Sequence, residues 1–167
     1  MPASVIVVMG VSGCGKSTVG ALLAERLGWP FAEADAFHSA ANVAKMRAGI
    51  PLADDDRWPW LDAMADWIEA RRGEGRSCVV TCSALKRAYR DRLRRGRDDL
   101  RFVHLAGGYD LIAERMRARR HEYMPLALLE SQFATLEAPG TDEHALTLPV
   151  DEAPGTLAQR IVDALAP

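Results

Sequence analysis

The sequence is poor in cysteine: there are three in 167 residues, and two of them, Cys78 and Cys82, fall in one apolar stretch. A small, odd number implies no disulfide framework and fits a reducing compartment, so a cytoplasmic protein is expected. Long apolar runs are missing as well. No segment approaches the ~18 consecutive apolar residues of a membrane span, and the opening MPASVIVVMG lacks the basic flank of a signal peptide. Neither a membrane partner nor export is expected. Nor does one sign of charge dominate. The 21 Lys and Arg against 23 Asp and Glu leave a net charge of −2, which gives no electrostatic case for nucleic acid. Eight cationic residues do cluster between Lys86 and Arg101, but Asp91, Asp98 and Asp99 interleave with them and no aromatic platform accompanies them. That stretch reads as a solvated helix face. Repeats, low-complexity tracts and linkers are absent, and the length suits a single domain over residues 1–167.

What is present begins at Val5. An apolar strand, Val5 to Met9, runs into Gly10-Val11-Ser12-Gly13-Cys14-Gly15-Lys16-Ser17, which fits G-x-x-x-x-G-K-[ST] at every fixed position. Thr18 and a helical pattern (Val19, Leu22, Leu23, Leu27) follow at once, so the motif sits in the strand–loop–helix setting it requires. Glycines let successive N–H groups close around phosphate oxygens, and the helix N-terminus adds positive charge at the same point. Lys16 supplies a cation for the β- and γ-phosphates, and the Ser17 hydroxyl suits Mg²⁺. Cys14 occupies a variable motif position; if exposed beside the helix N-terminus it would be a thiol of depressed pKa.

Further strands are expected at Trp29–Ala34, Ser77–Cys82, Phe102–Leu105 and around Leu146, Leu148 and Val150, the last an edge because of Pro149. Helices are expected after Pro59 (Trp60, Leu61, Met64, Trp67 and Ile68 on one face), through Arg95, over Asp110–Arg120, from Pro125 and from Pro154. Asn42 to Met46 reads as a mixed segment and Gly49 to Arg57 as a polar loop. Alternation of strand and helix gives an α/β sandwich around a parallel sheet. The interval from Ala36 to Arg76 is too long for a simple crossover and concentrates Asp, His, Arg and Trp, which marks it as an acceptor-binding insert.

A phosphate loop alone fits kinases, ATPases, GTPases and nucleotide-gated switches. No guanine-type N-K-x-D occurs, and no strand ends in apolar residues plus Asp as a plain Walker B would. Two carboxylates, Glu33 and Asp35, stand where a doubly wound sheet places ligands; Asp35 can accept a proton from an attacking hydroxyl. Arg115, Arg117, Arg119 and Arg120 lie on a helix end and the loop after it, where a mobile segment would deliver charge to a transferring phosphoryl group.

At these residues the chain resembles the gluconate kinases of the P-loop small-molecule kinase group. The likeness runs through Gly10–Ser17, Asp35-Ala36-Phe37-His38, Asn42-Val43-Ala44-Lys45-Met46, Gly49-Ile50-Pro51-Leu52, Asp54-Asp55-Asp56-Arg57-Trp58-Pro59-Trp60-Leu61, Cys82-Ser83-Ala84-Leu85-Lys86 and Gln132-Phe133-Ala134-Thr135-Leu136-Glu137. The resemblance implies ATP- and Mg²⁺-dependent phosphorylation of the 6-hydroxyl of D-gluconate. It also implies a three-layer P-loop fold: a five-stranded parallel sheet of order 2-3-1-4-5 flanked by helices, with a mobile lid over about 115–125, often dimeric. Gluconate has one carboxylate and a row of hydroxyls, so Arg57 and Lys86 are candidates for the carboxylate or nearby hydroxyls and His38 for a hydroxyl. Lys16, Asp35 and Arg119 are the expected catalytic set. Another small-molecule kinase, or an ATP-gated regulatory protein, is the alternative reading.

Overall fold

The computed structural model describes residues 4–118 and 126–165. Five parallel strands, β1 (Val5–Met9), β2 (Phe31–Glu33), β3 (Cys78–Thr81), β4 (Leu100–Ala106) and β5 (Leu146–Pro149), form one sheet in the order β2-β3-β1-β4-β5. This is the order the resemblance implies. β1 lies at the centre, with Val7 opposite Val80 on one side and Phe102 on the other. All five of its residues are buried, as expected of an unbroken apolar run covered on both faces.

Alternation along β1 divides the interior in two. Ile6 and Val8 face a core shared with Leu23 of α1 (Lys16–Leu27), Ile112 of α5 (Tyr109–Ala118), Leu129 of α6 (Leu126–Thr135) and Ile161 of α7 (Pro154–Leu165). Val5, Val7 and Met9 face the opposite core, with Leu61, Met64 and Ile68 of α3 (Asp54–Gly73) and Tyr89 and Leu93 of α4 (Arg87–Arg94). Gly20 explains how closely α1 approaches the sheet. A Cβ there would stand 2.7 Å from Thr81 Cγ2 and 2.9 Å from the Phe31 ring, so only glycine fits, despite its cost inside a helix.

Several boundaries differ from the sequence reading, most clearly around the acceptor insert. Asn42 to Met46 belongs to a full helix, α2 (Ala40–Arg47), because Ser39 Oγ accepts the Asn42 N–H and caps it. α3 begins at Asp54, inside the expected polar loop. Three aspartates fill its first turn, and Asp56 Oδ2 accepts the Ala53 N–H at 2.9 Å, so the acids are helix-starting residues. Pro59 consequently falls in the second turn of α3 rather than the first. The second strand is only Phe31–Glu33, after which Ala34–Phe37 form a 3-10 turn. Pro149 does end an edge strand. No helix among the described residues is long and apolar enough to cross a membrane.

The basic stretch is not simply solvated. Arg90 of α4 is 1% exposed and forms a two-pronged pair with Glu143, Nε to Oε1 at 2.7 Å and Nη2 to Oε2 at 3.0 Å. Burial alone would raise the Glu143 carboxyl; hydrogen bonds from Arg90, the Gly140 N–H and Arg94 overcome it and hold the pKa at about 2. The helix pattern had no means of naming this partner, 53 residues away.

Candidate active site

The carboxyl ends of β1, β2 and β3 open into one cleft enclosing about 880 Å³, part of it open solvent. Such a crevice, beside the strand where chain order reverses, is the usual ligand site of a doubly wound sheet. One wall is the loop between β1 and α1. Gly10, Gly13 and Gly15 have φ of 149°, 80° and 99°, all in the range that favours glycine. A Cβ on Gly10 would lie 2.7 Å from Cys14 Sγ and 2.9 Å from Leu105 O, so the loop is folded against its own strand ends. Ser12, Lys16 and Ser17 line the cleft. The Ser12 N–H donates to Gln132 Oε1 at 2.6 Å and Lys16 Nζ to Val11 O at 3.3 Å. A side-chain oxygen thus sits where this loop offers an amide.

Cys14 does not line the cleft. It is buried, its N–H donates to Val11 O at 3.3 Å, and burial raises the thiol pKa against the opposing pull of Lys16 and Arg115. The condition for an activated thiol, exposure, is not met. Thr18 is exposed on the first turn of α1 and lies outside the lining.

The opposite wall is built from side chains of five segments. Asp35 and His38 come from the turn after β2, Met46 from α2, and Pro51 and Leu52 from the loop before α3. Arg57 and Trp60 come from α3, and Thr81, Ser83 and Leu85 from the end of β3 and the turn beyond it. Glu33 ends β2 but is not among the lining residues. His38 stacks on Trp60 with ring centroids 4.1 Å apart and planes 12° from parallel, while Trp60 Nε1 donates to Ala34 O at 2.8 Å. Burial pushes the His38 pKa down to about 4; Asp35 opposes this and Arg57 adds to it. The imidazole is neutral at physiological pH.

Arg57 is held from behind. Its Nη1 donates to Tyr89 Oη at 2.7 Å, and the Tyr89 hydroxyl donates to Asp54 Oδ1 at 2.5 Å. Burial, then the Asp54 bond, raises the Tyr89 pKa to about 12, so the phenol keeps the proton that this chain of bonds requires. Lys86, paired with Arg57 in the sequence reading, stands outside the lining. Its ammonium lies 3.6 Å from Asp54 Oδ1 and 5.7 Å from the Tyr89 ring centroid. A carboxylate already present draws it to the outer side of that network.

Ser83 and Gln132 are cleft residues that carry no assigned role in the sequence reading, although both lie in blocks noted for their resemblance. Position after β3 was a further signal for Ser83; for Gln132, on α6, the resemblance of its block was the one signal. Ser83 O accepts the Gly10 N–H at 3.3 Å and so ties the two walls together. Ala84 beside it has φ 46°, a left-handed conformation rare for alanine, and its carbonyl accepts from Arg90 Nη1 at 2.8 Å. Of the arginines read as a lid, Arg115 donates to Val150 O at 2.7 Å and Arg117 lies on α5. Arg119 and Arg120 lie outside the described residues.

A family model described as an AAA domain matches residues 5–139. The gluconokinase of Gluconobacter oxydans is 46% identical over 157 residues, covering 94% of this chain and 88% of that protein. The chain belongs to the gluconokinase family. A gluconokinase structure from Sinorhizobium meliloti superposes with a TM-score of 0.88 at 46% identity, covering 99% of this chain and 92% of the other. An unliganded sugar kinase from Janibacter gives 0.92 at 49% identity, covering 97% and 94%. Membership accounts for the cleft's division of labour: a main-chain wall of phosphate-loop type faces a wall of polar side chains suited to a sugar acid.

Proposed function

We infer that the protein phosphorylates D-gluconate with ATP, at the 6-hydroxyl, giving 6-phosphogluconate and ADP. The observation that carries the reading is a single cleft in which Lys16 and Ser17 of the phosphate loop line the same space as Asp35, His38 and Arg57.

The residues present fit a nucleotide triphosphate tail. The Ser12 amide already engages an oxygen acceptor, as a phosphate oxygen would be engaged, and Lys16 stands beside it. Among the described residues no cluster of three His, Cys, Asp or Glu can hold a metal. A Mg²⁺ ion would therefore rest on the Ser17 hydroxyl, phosphate oxygens and water, the arrangement usual for this ion. Bound there, it would supply charge neutralisation on the phosphates. The main-chain amides of residues 10–18 orient the tail, and Lys16 offsets its negative charge. Arg57 fixes the gluconate carboxylate. His38 hydrogen-bonds a hydroxyl of the chain. Asp35 takes the proton of the attacking hydroxyl and aims its oxygen in line with the γ-phosphorus. Lys86 adds positive potential at the rim, and Arg119 is assigned from sequence as the cation for the transferring group. Residues 36–76 form the acceptor-binding part of a single domain; the lid expected over about 115–125 falls mostly outside the described residues. A homodimer and a cytoplasmic setting accompany the activity on the resemblance alone.

The test is a panel of acceptors (gluconate, shikimate and other sugar acids) with ATP and Mg²⁺, following ADP release. Gluconate should give by far the highest kcat/KM. Turnover of another acid without turnover of gluconate, or nucleotide binding with no acceptor-stimulated ADP release, would overturn the assignment.

A further inference from the structure

Asn42 has no part in the chemistry above, yet it is 6% exposed and its side chain joins three segments of the acceptor wall. Nδ2 lies 2.9 Å from the main-chain carbonyl of Asp56 in α3 and 3.3 Å from Nδ1 of His38. A carbonyl oxygen only accepts, so the Asn42 atom facing Asp56 must be the amide nitrogen. That nitrogen has two hydrogens. One goes to Asp56, and the second is directed at the imidazole.

We propose that Asn42 is a positioning residue that fixes the tautomer of His38, leaving Nδ1 as acceptor and Nε2 as the protonated nitrogen that serves the acceptor in the cleft. The proposal rests on the gluconate-kinase reading for the identity of that acceptor, but the tautomer itself does not. Stacking on Trp60 fixes the ring plane, so the amide's remaining influence is over which nitrogen holds the hydrogen. Nδ1 is the ring nitrogen within hydrogen-bond reach of Asn42, and the His38 ring lines the cleft. Burial, which keeps the ring uncharged, is what makes the choice of tautomer matter: a protonated ring would donate from both nitrogens.

The consequence is chemical selectivity. Asp35 as a carboxylate can only accept, and His38 Nε2–H can only donate. A hydroxyl placed between them satisfies both at once: its hydrogen turns to Asp35 and its lone pair to His38. A carbonyl or a methylene at that position would leave one of the two unpaired inside the cleft, an arrangement that sites of this kind discriminate against strongly. Asn42 therefore directs the hydroxyl hydrogen toward the base through a ring it never shares with the substrate.

The experiment is two-bond ¹H–¹⁵N correlation spectroscopy on the free, histidine-labelled protein, with His38 assigned by difference against His38→Gln. Wild-type His38 should show a pyridine-type Nδ1 and a pyrrole-type Nε2 at neutral pH. In Asn42→Asp the side chain can only accept, so Nδ1 should become pyrrole-type; gluconate KM should rise about tenfold, the worth of one neutral hydrogen bond, with the KM for ATP within twofold. Asn42→Ala controls for packing. If Asn42 were merely structural, both variants would lower Tm alike and leave the ring nitrogens as in wild type, and the proposal would fall. A pyrrole-type Nδ1 in active wild-type enzyme would overturn the tautomer alone, whereas absence of gluconate turnover in wild type would overturn the activity and leave the spectrum to judge the tautomer.

Discussion

The two walls of the cleft are made in different ways. The phosphate wall is main chain: amides presented by glycines of positive φ and by the start of α1, contributed by nine consecutive residues. The acceptor wall is side chain held by side chain. Asn42 holds His38, Trp60 stacks on it, Tyr89 and Asp54 brace Arg57, and Arg90 with Glu143 braces the turn at Ala84. A backbone cradle recognises any phosphate because its donors are the same in every residue. A wall of mutually supported side chains can be particular about one sugar acid, since each substitution alters a specific donor, acceptor or charge. On the proposed assignment, general affinity and selectivity reside on opposite sides of one space.

Asp35 is the acceptor-wall residue assigned to the proton of the attacking hydroxyl, and replacing it should break the comparison most severely. Asp35→Asn keeps the shape and removes the acceptor for the hydroxyl proton. We expect kcat to fall about 10³-fold, within the range known for general bases, with ATP affinity within about threefold. Steady-state kinetics with a separate ATP titration would check this; normal turnover in the variant would remove Asp35 as the base.

The next effect tests the brace behind the acceptor wall. Arg90→Met takes the two-pronged partner from buried Glu143, leaving it Arg94 and the Gly140 N–H, and should destabilise the fold by about 3 kcal/mol, read as a lower midpoint in denaturant. Adding Glu143→Leu should recover much of the loss, because two apolar groups replace two charges. The same pair gives the fold a pH dependence. Glu143 has a folded pKa of about 2, below its unfolded value of 4.5. Its contribution is therefore complete above pH 4.5 and is lost as pH falls toward 2, worth about 3 kcal/mol in all. His38 acts in the same direction: its pKa is about 4 when folded and 6.5 when unfolded, so stability also declines as pH drops from 6.5 to 4. Acid titration of the Arg90→Met and Glu143→Leu double variant should show a shallower loss than wild type below pH 4.5.

How much of this was readable in advance follows from the same contrast. The phosphate wall is contiguous, so strand, glycines, Lys16 and helix announce themselves within fourteen residues. Strand alternation and apolar runs gave the sheet. The acceptor wall is assembled from residues far apart in sequence, and only its chemically conspicuous members, Asp35, His38 and Arg57, stood out. Helix α2 was hidden because its start depends on one serine oxygen, and the start of α3 because aspartates resemble a loop until their dipole and capping roles are seen. Arg90 looked solvated because periodicity on α4 says nothing about an acid 53 residues later. Lys86 looked equivalent to Arg57, but Asp54 draws it to the outside.

A smaller effect would sharpen the claim that selectivity lies in braced side chains. Tyr89→Phe removes the hydroxyl that accepts from Arg57 and donates to Asp54 but keeps the ring. Arg57 should lose its fixed position, raising the KM for gluconate about five- to tenfold with little change in the KM for ATP. A neutral acceptor lacking the carboxylate should show no such difference between wild type and variant. Equal losses for both acceptors would place the effect in packing rather than in the orientation of Arg57.

The smallest effect is expected at the one point where the acceptor wall borrows the backbone strategy of its neighbour. Ala84 is left-handed, and for a residue with a Cβ that conformation costs about 1–2 kcal/mol. Ala84→Gly relieves the cost, but it also removes a fully buried methyl worth about 0.8 kcal/mol and gives the unfolded chain about 0.5–1 kcal/mol more freedom. The terms nearly cancel, so the denaturant midpoint should move by less than the equivalent of about 0.5 kcal/mol. The Arg90 bond to the Ala84 carbonyl survives the change, and with it the position of Ser83 against Gly10. Gluconate KM should therefore stay within twofold of wild type. A large rise in that KM without loss of stability would mean that the methyl itself, rather than the Arg90–Glu143 brace, holds the turn in place.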